Sequence, residues 1–161
     1  MTVGLAVAEQ WPGSAAGTAR VIDGDTISIG QQGVRIGVIK ACEKGQSGLL
    51  NGKTWPCGLV ARSYLRKMID GKHVFCRTVD VDRYKHTVGQ CYLQNNDIGL
   101  AMLRAGQAAA MLRFLPRNHG IDLAEYGYAE NGARERLLGI WSADAESPHL
   151  YRRAHASREA R

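Results

Sequence analysis

Clusters of β-branched and apolar residues predict strands in the first part of the chain. Residues 18–30 and 33–41 are rich in β-formers, and the turn sequence GQQG separates them. A further β-rich region, 73–93, contains two apolar runs on either side of the polar sequence DRYKH. Apolar runs bounded by glycine and polar turn residues are typical of antiparallel hairpins. The pattern therefore predicts a small antiparallel barrel.

Helical spacing of apolar residues marks three other segments. In 58–70 the apolar side chains recur every three to four residues, and Gly71 ends the predicted helix. A short helix is predicted at 97–105 and a longer one, interrupted by glycines, at 121–138. Strands followed by helices, without repeats or a clear linker, indicate a single domain of the α+β class.

The predicted elements occupy residues 18–142. Residues 1–17 form an N-terminal segment, and 143–161 are expected to be a basic, mobile tail. The first residues, MTVGLAVAEQW, resemble the end of a secretory signal peptide, and an ordinary frayed terminus has the same composition. No apolar run approaches the ~20 residues that a membrane-spanning helix requires.

The charge balance suggests the class of partner. The 161 residues include 21 Lys and Arg against 15 Asp and Glu, which gives a formal net charge of +6. This excess favours single-stranded nucleic acid or another polyanion, bound weakly and in a salt-sensitive way, ahead of a membrane surface. A basic surface that only faces solvent is the alternative. We expect a monomer.

The four cysteines form two equally spaced pairs. Cys76 and Cys91 lie on the two strands that flank DRYKH, and a hairpin centred between Arg83 and Tyr84 places them opposite each other. Cys42 and Cys57 have the same separation, and we favour a bridge there as well. Two disulfides indicate an oxidising compartment, here the periplasm or the exterior, whereas four buried thiols are the cytosolic alternative. The spacing argues against zinc, because it includes no Cys-x-x-Cys motif.

Two stretches carry candidate chemistry. VIDGDTISIG places Asp23 and Asp25 around a glycine, and VRIGVIKACE follows with Arg35 and Glu43. Carboxylate oxygens suit a hard cation, and a guanidinium suits a phosphate group. The combination predicts a metal-dependent site that acts on phosphate, although each residue could instead serve a turn, an ion pair or the solvated surface.

The order ARVIDGDTI, VRIGVIKACE, WPCG, DRYKHTVGQCYL and LGIW resembles the staphylococcal nuclease (thermonuclease-like) family over residues 18–142. The resemblance implies a five-stranded antiparallel OB-type β-barrel with three helices, and calcium-dependent hydrolysis of DNA and RNA phosphodiesters. Members with WPCG and paired cysteines resemble exported bacterial proteins.

The resemblance also implies roles for individual residues. Asp25 matches a calcium ligand, and Asp23 matches the acid that supports the ion through water. Arg35 matches the arginine on the scissile phosphate. Glu43 matches the general base, or the residue that orients the attacking water.

Two departures fall on these functional positions. Lys40 stands where the family has its second calcium-binding aspartate, and His86 stands where it has its second phosphate-binding arginine. Lys85 replaces the glycine of the same motif. Lys40 either pairs with Asp25 and Glu43 in place of the metal or turns to solvent, and both interpretations remain open. No cofactor is expected, and Ca²⁺ only if the site is still competent.

A third departure concerns the disulfide. Related exported members place the first cysteine a few residues after the glutamate, near Gly48, whereas Cys42 precedes Glu43 in this chain. A Cys42–Cys57 bridge would therefore tether the catalytic segment differently.

Three functions follow from the sequence. The first is an exported domain with weakened or lost calcium-dependent activity that binds a polyanion or a protein partner, with Arg35, Arg83, Tyr84 and Lys85 around the cleft. The second is an active phosphodiesterase in which Lys40 or His86 replaces part of the family's machinery. The third is a structural member of an envelope or polysaccharide pathway.

Overall fold

The computed structural model describes residues 13–112 and 115–159. The proposed signal remnant at the start of the chain lies outside these residues. The first strand begins at Ala15, three residues before the predicted start of the domain.

The described part of the chain contains both strands and helices, and the first helix lies between strands rather than after them. The strands are β1 Ala15–Asp23, β2 Thr26–Ile29, β3 Gln32–Ile36, β4 Ile39–Ala41, β5 Gly48–Leu50, β6 Lys53–Trp55, β7 His73–Val81, β8 Thr87–Leu93, β9 Asn96–Asp97 and β10 Ala108–Ala110. The helices are α1 Cys57–Ile69, α2 Ile98–Arg104, α3 Leu123–Glu135 and α4 Pro148–Glu159, with a 3₁₀ turn at Gly139–Ser142.

Five strands close into a barrel in the order β3-β2-β1-β7-β8, with β9 continuing beyond β8. Four of the neighbouring pairs are antiparallel, and the closing pair, β3 with β8, is parallel. The prediction of an all-antiparallel barrel is therefore wrong. The physical reason is parity: four successive reversals around a ring of five strands bring the last strand back to the direction of the first.

The hairpin of β7 and β8 has the register that the cysteine positions predict. Cys76 is paired with Cys91 and forms a disulfide with it. A bulge between Thr78 and Asp80 shifts the register by one residue toward the turn. Such bulges increase local twist and bend the strand. Here the bulge lies between the disulfide and the DRYKH turn, which adjoins the site described below.

The core of the barrel is apolar, and α1 packs against it. Ala61, Leu65 and Ile69 recur along one face of α1 and are fully buried. They join the apolar side chains that line the barrel, such as Ile27 and Val74. Burying a large aliphatic side chain contributes about 1.5–3 kcal/mol to the free energy of folding. This face therefore anchors α1 beside the turn between β1 and β2.

Aspartates cap the N-termini of α2 and α3. Asp97 accepts a hydrogen bond from the N–H of Leu100 at the start of α2, and Asp122 accepts from the N–H groups of Ala124 and Glu125 in α3. Asp97 also accepts the hydroxyl of Tyr126 from α3. Burial, reinforced by this carboxylate, raises the pKa of Tyr126 well above its ordinary value. The contact holds α3 against α2.

The chain continues after residue 142 with backbone contacts to β5 and a further helix. Leu49 and Asp144 exchange two backbone hydrogen bonds, each of 2.8 Å, and α4 follows. The sequence did not predict α4, because its residues are mainly polar and basic. Within 13–112 and 115–159, the helices are all too short or too polar to cross a bilayer.

Candidate functional site

Asp25 lies buried at the base of the site, just after the turn that joins β1 to β2. Its Oδ1 accepts a hydrogen bond from Thr26 Oγ1 at 3.0 Å, and its Oδ2 accepts the N–H of Ala41 in β4, also at 3.0 Å. A Cβ at Gly24 would lie 2.7 Å from the Cβ of Ala41. Only glycine therefore allows the turn to approach β4 closely enough for these contacts.

The ammonium of Lys40 lies between two carboxylates. Its Nζ is 3.1 Å from Asp25 Oδ2 and 2.8 Å from Glu43 Oε1, and the Lys40 side chain is only 5% exposed. Lys40 belongs to β4, a strand that is buried over its whole length and paired with β10. Of the two interpretations left open by the sequence, the structure has the one in which Lys40 pairs with the acids.

The loop that carries Glu43 is fixed from two sides. Gln46 accepts the N–H of Glu43 through Oε1 at 3.1 Å and donates through Nε2 to the carbonyl of Glu146 at 2.8 Å. The Cys42–Cys57 disulfide joins the residue before Glu43 to the first residue of α1. At Gly58 a Cβ would overlap the carbonyl oxygen of Glu43. The disulfide matches the favoured pairing, and the loop packs directly on α1.

Two contacts of Glu43 have no signal in the sequence. Gln46 is 1% exposed, although it lies in a polar stretch that gives no signal of burial. Arg152 of α4 places its Nε 3.9 Å from Glu43 Oε1. Neither residue belongs to a recognisable motif, and both are identified only by the packing of distant segments.

Asp23 lies beside this cluster at the end of β1. Its Oδ1 accepts the N–H of Gly24 at 2.9 Å. Burial raises the pKa of the Asp23 carboxyl above its ordinary value, and the negative charges of Asp25 and Glu43 raise it further, against the lowering effects of the Gly24 N–H and of Lys40. The folded protein therefore disfavours the charged form of Asp23.

Arg35 forms a second charged group with two other residues. Arg35 Nη1 is 3.6 Å from Asp82 Oδ2, and His86 Nδ1 is 3.3 Å from the same oxygen. Asp82 also accepts the N–H groups of Tyr84 and His86, each at 2.9 Å. Burial opposes ionisation of Asp82, but these N–H groups and the charges of His86 and Arg35 together lower its pKa. Sequence reasoning identified Arg35 and His86 and missed Asp82.

The turn after Asp82 presents a cation and an aromatic ring. The guanidinium of Arg83 lies 5.1 Å from the centroid of the Tyr84 ring, and 57% of the surface of Tyr84 is exposed. Lys85 adopts a left-handed backbone with φ 65°. Arg83 and Tyr84 line the adjoining cleft, whereas Lys85 is not among its lining residues.

Lys40 of the first charged group and Arg35 and Asp82 of the second line one open cleft with a volume of about 610 Å³. Its barrel side includes Arg35, Lys40 and Asp82, and its far side is formed by α4. The lining residues are Arg35, Ile36, Gly37, Val38, Ile39, Lys40, Asp80, Val81, Asp82, Arg83, Tyr84, Val88, Met111, Leu115, His149, Arg152, Arg153 and Ala156. Cations outnumber anions on this surface, which suits an anionic ligand.

The acidic cluster does not fit a divalent cation. In the part of the chain that the structure describes, no three Asp, Glu, His or Cys side chains are grouped to hold a metal ion. A calcium ion requires six to eight oxygen ligands, and an ammonium already pairs with both Asp25 and Glu43. The resemblance-based assignment of Asp25 as a calcium ligand is therefore at odds with the donor set around it.

Comparison with known proteins places this site in a family. The family model described as staphylococcal nuclease homologue matches residues 33–143, which include Arg35, Lys40, Glu43 and His86. A probable endonuclease lcl3 of Botryotinia fuckeliana is 31% identical over 104 residues, which cover 60% of this chain and 40% of the relative.

Two other relatives have names that do not mention a nuclease. The succinoglycan biosynthesis protein ExoI of Rhizobium meliloti is 30% identical over 81% of this chain and 66% of its own length. Protein ParB of Escherichia coli is 30% identical over 92% of this chain and 84% of its own length. The chain thus spans less than two thirds of the endonuclease and slightly less than two thirds of ExoI. With the closed mixed barrel and the match over residues 33–143, the chain belongs to the staphylococcal nuclease family.

Proposed function

We propose that this chain is a nuclease-family domain that binds single-stranded nucleic acid in its cleft and has weakened or lost calcium-dependent hydrolysis. The observation that carries the proposal is the position of the Lys40 ammonium, 3.1 Å from Asp25 and 2.8 Å from Glu43. In this arrangement Lys40 supplies internally the positive charge that a bound metal would otherwise supply.

The charge arithmetic supports weak calcium affinity. Exchanging a carboxylate for an ammonium changes the local charge by two units. One pair of unit charges about 4 Å apart interacts by roughly 4 kcal/mol at an effective dielectric of about 20. An incoming dication would therefore be repelled by Lys40 and would have to break its two ion pairs. Glu43, the candidate general base, has Oε1 committed to the same ammonium.

The second phosphate-binding position is weakened too. His86 is 58% exposed and contacts Asp82, and a histidine lacks the permanently charged fork of an arginine. Removal of a contact that stabilises the transition state costs on the order of 10²–10³ in rate. Arg35 remains in the cleft wall, where it could bind a phosphate group after leaving Asp82.

Binding of nucleic acid is the part of the family function that the cleft still supports. Arg35, Arg83 and Tyr84 offer two guanidiniums and an aromatic face on one wall. Single strands are bound by the same combination of basic grooves and rings on which bases stack. We expect weak binding that declines steeply with salt, by a monomer whose elution in size-exclusion chromatography checks that state.

Metal binding and cleavage test the proposal together. Wild-type protein should show no tight calcium site by isothermal titration and negligible cleavage of a single-stranded oligonucleotide with calcium. The paired change Lys40→Asp with His86→Arg should introduce calcium affinity and measurable cleavage. Lys44→Asp is the matched control, because it makes the same charge change at an exposed position next to Glu43. Rapid wild-type cleavage that a chelator abolishes would contradict the proposal.

An active enzyme that uses Lys40 or His86 in place of the lost groups is the second candidate. Such an enzyme would cleave the oligonucleotide in the presence of a chelator, and Lys40→Met would abolish this cleavage. A role in a polysaccharide pathway is favoured only by the similarity to ExoI over 81% of this chain. Tighter binding to an acidic polysaccharide than to an oligonucleotide would support that role.

We also propose that the protein is exported to the periplasm or beyond. The support is the pair of disulfides, Cys42–Cys57 and Cys76–Cys91, because such bridges persist in oxidising compartments. Mass spectrometry of non-reduced protein made under oxidising conditions should find no thiol that an alkylating reagent can modify. Four modified thiols would contradict export.

A further inference from the structure

The helix α4 forms one wall of the cleft, opposite the barrel. Pro148 at its start is buried, and the ring of Tyr151 stacks on that of His155 with centroids 3.9 Å apart. Arg152 reaches Glu43 Oε1 from this wall, with 3.9 Å between the charged atoms. The helix is therefore placed against the loop that carries Glu43.

The side chains that α4 contributes to the cleft are basic or small. They are His149, Arg152, Arg153 and Ala156. Arg153 is exposed, and the side chain of Arg152 is 34% exposed. The ion pair of Arg152 is long, and its partner oxygen is already paired with Lys40 at 2.8 Å. Both guanidiniums can therefore reach an anion without leaving a buried carboxylate unpaired.

The opposite wall contrasts with α4. Arg35 on the barrel pairs with Asp82, which also contacts His86, so a phosphate group must compete with this carboxylate for Arg35. The acids lining the cleft, Asp80 and Asp82, belong to the barrel side, and the cleft-lining residues of α4 include none. The cleft-lining side chains of α4 thus attract phosphate with no acid among them.

We propose that α4 is a phosphate-binding wall, in which Arg152 and Arg153 bind phosphate groups of a single nucleic-acid strand lying in the cleft. This inference rests on the proposed function. It assigns guanidinium contacts with phosphate to α4, because the DRYKH turn carries His86 rather than an arginine at its last position. The cleft keeps about 610 Å³ with the helix in place, within the range of about 300–1,000 Å³ that ligand sites occupy.

A competing view would make α4 a plug that blocks the cleft. A plug that mimics the ligand would present carboxylates to Arg35 and Arg83. The residues that α4 places in the cleft carry positive charge instead. The two views predict opposite effects of removing that charge, because loss of a plug raises affinity and loss of a binding wall lowers it.

Titration of a labelled oligothymidylate at several salt concentrations tests the proposal. The variant Arg152→Gln with Arg153→Gln should bind at least about tenfold more weakly at low salt, since hydrogen bonds to charged groups are among the stronger ones. Its slope of log affinity against log salt should fall by about 1.4, because each phosphate contact of a single strand contributes about 0.7. Arg66→Gln with Lys67→Gln removes two cations from the exposed surface of α1, which shares no residue with the cleft. This control should change affinity less than twofold.

The outcomes separate the inference from the proposed function. A wild-type protein that does not bind at low salt would overturn both. Wild-type binding that Arg35→Ala weakens, but that the α4 variant leaves unchanged or improves, would overturn the inference alone. Stronger binding of polygalacturonate than of oligothymidylate would identify an acidic polysaccharide as the occupant and also overturn it.

A conservative variant guards against a folding defect in α4. Arg152→Lys with Arg153→Lys keeps both charges and the helical propensity, so its salt slope should stay within about 0.3 of the wild-type slope. Its affinity should fall severalfold, because an ammonium lacks the planar fork of a guanidinium. Equal salt slopes for the lysine and glutamine variants would contradict a role for the charges. Circular dichroism of each variant checks the helix content.

Discussion

At the residue scale, Lys40 shows how a buried charge can be acceptable and yet add little net stability. Its side chain is 5% exposed, and it pairs with Asp25 and Glu43. Desolvation of such charges offsets most of their attraction, so a buried ion pair is seldom a large source of stability. Removing one partner is different, because the remaining charge stays buried without compensation.

The change Lys40→Met should therefore destabilise the protein by about 3–5 kcal/mol at neutral pH. It keeps the length of the side chain and leaves buried Asp25 without its ammonium partner, while Glu43 retains only the longer contact with Arg152. Urea denaturation measures the effect, and Lys44→Met at an exposed position should stay within about 0.5 kcal/mol of wild type. A Lys40→Met protein as stable as wild type would show that the three charges are not coupled.

Asp23 gives a prediction about pH. Burial raises its pKa, so the folded state holds the proton more tightly than the unfolded state, and ionisation at neutral pH costs folding free energy. Asp23→Asn removes this cost and keeps an oxygen for the N–H of Gly24. The variant should melt at a higher temperature than wild type at pH 7.

The difference should shrink as the pH falls through the raised pKa of Asp23 and vanish below about 3.9, the ordinary pKa of an aspartate. Thermal melts over this pH range check the direction. The exposed Asp144→Asn serves as a control. A stabilisation by Asp23→Asn that persists unchanged at pH 3 would have another cause than ionisation.

The residues of the site were predictable from sequence only where a motif carries them. Asp25, Arg35 and Glu43 lie in ordered motifs, and the structure positions all three around the cleft or its base. The orientation of Lys40 was not predictable, because a lysine at the end of an apolar strand can turn either way. Asp82 is part of DRYKH, but its role depends on the fold of the turn.

At the scale of elements, the helices were predicted better than the strands. The predicted helix 58–70 corresponds to α1 at Cys57–Ile69, because the apolar spacing and Gly71 define both its face and its end. The run 18–30 contains two strands, since Gly24 allows a tight turn inside an otherwise continuous β-rich sequence. The Asp-Gly pair between these apolar runs is itself a hairpin signal, which the assignment of 18–30 as one β-rich run overlooks.

Removing one disulfide or the other gives two variants that can be compared directly. Both join cysteines separated by 15 residues, so the chain-entropy model assigns each about 3 kcal/mol. Replacing either pair by alanines should lower the free energy of unfolding by a similar amount. Only the loss of Cys42–Cys57 should loosen the loop of Glu43, because Cys76–Cys91 lies across β7 and β8.

Hydrogen exchange measured by mass spectrometry distinguishes the two effects. The backbone N–H groups of Glu43 and Gln46 are bonded within the loop, and they should exchange faster without the Cys42–Cys57 bridge. Without the Cys76–Cys91 bridge, the same N–H groups should keep their wild-type protection from exchange, once the lower global stability of that variant is taken into account. Equal loss of protection in both variants would show that the bridge beside Glu43 has no local role.

At the scale of the whole molecule, the topology explains what the local pattern could not. Hairpins predicted from sequence are antiparallel, yet closure of five strands requires one parallel contact, made by β3 and β8. The far wall of the cleft depends on α4, which is distant in sequence from Arg35 and Lys40. No hydrophobic periodicity in α4 or in the segment of Arg35 and Lys40 indicates that the two line the same cleft.

Truncation of the chain tests where the folded unit ends. The sequence places the boundary at residue 142, but the next residues contact β5 and the loop before it. Asp144 exchanges two backbone hydrogen bonds with Leu49, and Glu146 accepts the amide of Gln46. A Cβ at Gly48 would lie 2.7 Å from the Cβ of Ala145, which shows how closely this segment packs.

A chain that ends at Ser142 should therefore be less stable than one that ends at Ser147. The shorter chain loses all three hydrogen bonds, each worth about 1 kcal/mol, so the difference should be about 3 kcal/mol. Both chains lack α4, and each serves as the control for the other. Urea denaturation measures the difference, and hydrogen exchange at Glu43 should rise only in the shorter chain, where Gln46 loses its anchor. If the two chains were equally stable, the folded unit would end at residue 142, as the sequence predicts.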